Sequence, residues 1–133
     1  MAVIERNEYG AVGVNKQVIE KMIIERLLEM SDSLMLCNKK GKPIKDKPTP
    51  WIDPDNYDAI DVIEKRGEAN VKINIIIKQG HNISQMSDAI FDAVESGFEL
   101  LRLDKPKNIN IKVRGVMSDA LVKRNIEVVR KNA

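Results

Sequence analysis

His81 is the sole histidine and Cys37 the sole cysteine of this 133-residue chain, so the usual general base and the strongest side-chain nucleophile occur once each. His81 lies between Gly80 and Asn82, a setting that reads as a turn at the surface. Cys37 follows Met35 and Leu36 and reads as a small buried hydrophobe whose thiol nothing activates. One imidazole and one thiol cannot assemble a zinc site within a single chain. The expectation is a protein with no catalytic residues, no metal and no cofactor.

Two further patterns resemble ligand sites and fail on their details. Asp53, Asp55, Asp61 and Glu64 track the spacing of a calcium loop, but Asp58 stands where the sharp turn requires glycine and Tyr57 replaces an oxygen ligand. A solvated acidic loop is the reading that remains. Gly10-Ala11-Val12-Gly13 lacks the third glycine of a phosphate cradle and falls inside a strand pattern.

Basic residues are the better candidates for function. Lys39, Lys40, Lys42, Lys45 and Lys47 crowd one segment with Trp51 nearby, and Lys123, Arg124, Arg130 and Lys131 crowd the end of the chain. The first group pairs charge with one stacking platform, which allows a nucleic-acid-binding reading as the alternative. The second suits a protein partner or an anionic membrane surface. Overall charge is only +2, too nearly balanced for a dedicated DNA-binding domain.

The elements that must carry these residues follow from periodicity. Tyr9 to Val14 reads as a short strand, and Asn15 offers a helix cap. Val18, Ile19, Met22, Ile23, Leu27 and Met30 then recur at helical spacing. Ser33 to Cys37 suits a second strand. Residues 38–58, with Pro43, Pro48, Pro50 and Pro54, form an extended surface excursion because proline neither donates to a ladder nor continues a helix.

Ala59 to Glu64 and the run from Val71 form a hairpin around Lys65-Arg66-Gly67-Glu68. Val71, Ile73, Ile75 and Ile77 alternate with Lys72, Asn74, Ile76 and Lys78, giving one core face and one partly solvated face. Asn82 and Gln85 are placed to cap a helix reciprocally. Its apolar stripe is Ile83, Met86, Ile90, Val94, Phe98 and Leu101. Asn108 to Val116 is a strand with Ile109, Ile111 and Val113 inward and Asn110, Lys112 and Arg114 outward. Ser118 is read as the cap of a short C-terminal helix over about 118–131, with Leu121, Val122, Ile126 and Val129 on one side.

These elements predict one α+β domain over residues 1–133, a two-layer sandwich with a mostly antiparallel or mixed sheet and two main helices on one face. Lys72, Asn74, Lys112 and Arg114 would occupy the other face, exposed to solvent or covered by a partner subunit. The single cysteine favours a reducing compartment, the cytoplasm. No secretory signal is evident at the N-terminus, and no apolar run approaches the roughly 20 residues of a membrane span.

Three stretches carry a family resemblance: Tyr9-Gly10 with Val12, Val14 and Val18; Val71 through Gly80-His81-Asn82-Ile83; and Ile109 through Gly115-Val116. Together they resemble the alkaline-shock and general-stress proteins of the Gram-positive cell envelope. Gln79 replaces the family's tyrosine, the first helix ends at Met30-Ser31 without its Gly-Val, and the Lys/Pro excursion is an insertion. The resemblance implies a non-enzymatic, self-associating cytoplasmic protein that binds protein partners, among them a membrane-anchor protein in some members. It supplies no catalytic residues.

Overall fold

The computed structural model describes residues 2–7, 10–43 and 59–132. Two short strands, β1 (Ala2–Asn7) and β2 (Gly10–Asn15), pair antiparallel with Ala2 opposite Asn15. The expected first strand is therefore one arm of a hairpin, whose other arm carries too brief an alternation to announce itself. Helix α1 (Lys16–Leu28) follows directly.

The principal sheet has five strands around β5 (Glu68–Lys78). Strand β6 (Asn108–Met117) runs parallel to it along one edge, matching Asn70 with Asn108 and Lys78 with Met117. The opposite edge is shared. Strand β4 (Ile60–Lys65) pairs with the first half of β5, and β3 (Leu34–Leu36) pairs with its last residues, both antiparallel. Arg66 and Gly67 close the β4–β5 hairpin with φ of 56° and 78°, the left-handed pair of a two-residue turn that matches strand twist.

A parallel pair cannot be joined by a tight turn, and helix α2 (Ile83–Leu100) makes the crossover from β5 to β6. It starts where the cap was expected, with Gln85 N–H donating to Asn82 Oδ1 at 3.1 Å. Ile90, Val94 and Phe98 are fully buried, while Ile83, Met86 and Leu101 pack at the edge of the cluster. At the far end Leu103 N–H donates to Phe98 O and Arg102 N–H to Glu99 O, each at 2.9 Å. This double bond pattern ends helices with a left-handed residue, here Arg102 at φ 57°.

The helices and one sheet face share a cluster: Ile19, Ile23, Ile24 and Leu27 of α1, the α2 stripe, Val71, Ile73, Ile75 and Ile77 of β5, and Ile109, Ile111 and Val113 of β6. The α1 stripe is rotated from the one expected. Ile24 is buried, whereas Val18 is 46 % exposed at the rim between the helices, because the helix turns its densest aliphatic side to the sheet.

The C-terminal segment corrects the expectation of a helix. Residues Leu121–Lys131 form strand β7, antiparallel to β6. β-Branched Val122, Ile126, Val128 and Val129 suit a pleat better than a helix, and the strand satisfies the outer backbone edge of β6. Its alternation is visible in Ile126, Val128 and Arg130, which lie opposite Val113, Ile111 and Ile109. Arg130 thus projects on the helix side. It bonds Glu95 at 2.9 Å and Asp92 at 3.0 Å, lies 3.7 Å from Asp88, and stacks over the Phe91 ring at 4.8 Å. Asn132 adds a bond to Glu95. Among the described residues no helix is long and apolar enough to cross a membrane.

A left-handed arginine closes α2 where glycine is the cheaper residue, so Arg102→Gly is expected to raise stability by about 1 kcal/mol. Urea denaturation of the two proteins measures it, and an unchanged or lower midpoint at equal slope contradicts the assignment of strain to this position.

Candidate functional site

The sheet face opposite the helices is polar, and its rows follow from register. Asp61, Lys72, Asn110 and Val129 stand in one cross-strand row, and Asn74, Lys112 and Glu127 in the next. Asn108 Nδ2 donates to Asn70 Oδ1, and Asn110 Nδ2 donates to Glu127 Oε1 at 2.9 Å. The alternation expected to leave this face partly solvated changes midway along β5. Asn74 is 4 % exposed and Ile76 is fully buried, so this half of the strand is covered on both sides.

Part of the cover comes from the beginning of the excursion. Cys37 bridges to Pro43, and Asn38 Oδ1 accepts from Lys40 N–H and Lys42 N–H, holding residues 38–42 in a tight turn. Gly41 has φ +83°, and a Cβ there would lie 3.3 Å from Arg114 Cβ. This turn thereby rests on Arg114 with little room to spare.

Arg114 is displaced from ordinary pairing. Val113 matches Ile75 and Gly115 matches Ile76, and the ladder to β7 shifts at the same point. A bulged residue re-aims its side chain. Arg114 Nε donates to Asn74 Oδ1 at 3.0 Å, while Asn74 Nδ2 donates to Ala59 O at 3.4 Å. Asn74 thus ties the bulge to the point where the chain returns into β4.

Around this junction lies a hollow of about 160 Å³ lined by Lys39, Asp61, Lys72, Asn74, Lys112 and Arg114. Its four cations form no ion pair among the described residues. The carboxylates nearest by register are engaged elsewhere. Asp61, opposite Lys72, lies 3.9 Å from Lys16, and Glu127, opposite Lys112, accepts from Asn110. Lys16 also lies 3.6 Å from Glu20, whose carboxyl is pushed above its ordinary value first by burial.

The basic residues singled out in the sequence separate accordingly. Lys39 lines the hollow, and Lys40 and Lys42 are exposed on the turn beside it. Lys45, Lys47 and Trp51 lie outside the described residues, as do Asp53 and Asp55 of the acidic segment. Asp61 and Glu64 belong to β4. Lys123, Arg124 and Lys131 are exposed on β7 rather than on a helix, and Arg130 is committed to the carboxylates of α2. In the sequence, Lys72, Lys112 and Arg114 announce themselves only as outward residues. Their shared face was legible in alternation, but their convergence with Lys39 depends on the bulge and the turn.

His81 is exposed at the turn into α2. Cys37 is buried, and burial pushes its thiol up to about 12, with Arg114 opposing that rise. Gly10 and Gly13 lie within β2. Among the described residues no cluster of His, Cys, Asp and Glu side chains is placed to hold a metal ion. No protein-family model, curated protein or solved structure matches this chain.

The raised thiol fixes a pH dependence. An unfolded cysteine ionises near 9 and the folded one near 12, so Cys37 contributes stability that is complete below pH 9 and declines as pH rises toward 12. At pH 8, iodoacetamide is expected to modify native Cys37 at least about tenfold more slowly than the urea-unfolded thiol. Equal rates, followed by mass spectrometry, contradict this burial.

Proposed function

We propose that this chain is a non-enzymatic interaction module of the scaffold type, and that it binds acidic segments of protein partners on the polar face of its sheet. The observation that carries this reading is the hollow where Lys39, Lys72, Lys112 and Arg114 converge without an ion pair among the described residues. Surface cations ordinarily mix with carboxylates, and a local excess of one sign attracts the opposite charge and speeds its encounter. Of the two side chains best suited to covalent or acid–base chemistry, His81 is exposed in the turn before α2 and Cys37, beside Asn74, is buried with its thiol pushed up by burial.

The envelope-stress resemblance accords with this reading, since it too implies partner binding without catalysis. Self-association and a place beside a membrane anchor are parts of the same proposal. An acidic protein segment is favoured over nucleic acid because the net charge of the chain is only +2, against the strong basic excess that phosphate-dominated binding draws on.

A fluorescent peptide of alternating glutamate and glycine tests the proposal by anisotropy at two salt concentrations. Binding is expected to weaken about tenfold, ~1.4 kcal/mol, in Lys72→Glu/Lys112→Glu. It should change less than about twofold in Lys21→Glu/Lys105→Glu, which alters net charge equally at exposed sites away from the hollow. Equal losses in the two variants count against the site. Stronger competition by single-stranded RNA than by unlabelled peptide would favour nucleic acid instead.

A further inference from the structure

The hollow has more structure than diffuse attraction to an acidic surface requires, and its form specifies a ligand group. Resting on the acidic-partner reading, we propose that it is a seat for a phosphate monoester carried by that partner. Three observations support the assignment.

The first is donor number. Arg114 spends Nε on Asn74, and its two terminal nitrogens make no hydrogen bond among the described residues. The ammonium groups of Lys39, Lys72 and Lys112 bring three donors each. A carboxylate, with one charge and two oxygens, can occupy the arginine fork but leaves the lysines without a counter-charge. A phosphate monoester has three terminal oxygens and carries about −1.5 to −2 at neutral pH, so it can engage the guanidinium and the lysines together.

The second is size. A hollow of about 160 Å³ is well below the roughly 300–1,000 Å³ of pockets that hold larger organic ligands. A single tetrahedral group is of a size that a hollow of this order admits.

The third is construction. Lys72 and Lys112 come from adjacent strands, Arg114 from a bulge and Lys39 from the tight turn at residues 38–42. Asn74, almost wholly buried, fixes Arg114 through one end of its amide and the start of β4 through the other. Its polar atoms are committed, so Asn74 is a positioning residue. Asp61 stands at the margin with Lys16 beside it, which lessens its repulsion of an anion.

The test uses the full chain and two synthetic acidic peptides that differ only in serine or phosphoserine at the centre, with inorganic phosphate and sulfate as small probes. Nitrogen–proton correlation spectra should show saturable shifts at Gly41, Lys72, Asn74, Lys112 and Arg114 with inorganic phosphate. The phosphopeptide should bind at least about tenfold more tightly than its serine twin. Arg114→Lys retains charge and stem but loses the fork, and should remove most of that preference while leaving the serine peptide's affinity within about twofold. Because the second phosphate ionisation lies near pH 6, the preference should grow from pH 5.5 to 7.5, whereas sulfate binding should not gain in the same way.

Equal affinity for the two peptides overturns the phosphate seat and leaves the acidic-partner reading standing. Saturable phosphate binding at these residues with neither peptide bound supports the seat and overturns that reading. Shifts that merely follow ionic strength, together with no peptide binding, overturn both.

Discussion

Strand β5 is hydrogen-bonded along both edges, and from Ile73 to Ile77 it is buried on both faces. Its parallel partner β6 can be reached only through a crossover, which places α2 over the sheet and commits Val71, Ile73, Ile75 and Ile77 to an aliphatic cluster. The opposite parity is thereby committed to the other face. Lys72 and Asn74 stand beside Asn110 and Lys112 because of this pairing, and a one-residue slip would exchange the two sets.

The divided edge of β5 gives that second face its particular form. One continuous strand there would leave no gap between Cys37 and Ala59, but β3 and β4 take separate halves and the chain departs between them. Asn74 lies at the opening. Its carbonyl accepts from Cys37 N–H and its side-chain amide donates to Ala59 O, so one buried residue secures both ends of the departure. The bulge at Arg114 falls alongside, and the turn containing Gly41 packs on it. Structural irregularity and excess charge thus coincide at one place. On the other side, Arg130 sits among three carboxylates of α2, so the charge excess there is of the opposite sign.

Much of this architecture was legible in the residues. The β4–β5 hairpin, the α2 cap and the inward sets of β5 and β6 follow from strong local signals: a two-residue turn, Asn82 with Gln85, and long aliphatic alternation. The end of the chain misled because Leu121, Val122, Ile126 and Val129 also satisfy a helical period. β-Branching leans toward a strand, and the need of β6 for an outer partner, which is tertiary, completes the choice. Val18 misled for a related reason, since periodicity identifies a stripe but the packing against β3 and β4 sets its rotation. The basic hollow was legible in part. Outward Lys72, Lys112 and Arg114 could be read from alternation, whereas the approach of Lys39 depends on a bulge, a left-handed glycine and a buried amide that no period encodes.

The central claim is that positive potential is concentrated at one point of the polar sheet face. Proton relaxation enhancement by an anionic and a cationic paramagnetic cosolute of equal size reports local potential residue by residue. A surplus for the anionic probe, largest around Lys72, Lys112 and Arg114 and smaller along α2, is the result predicted. Equal enhancement by the two probes at those residues, or a larger surplus on the helical side, would contradict the account.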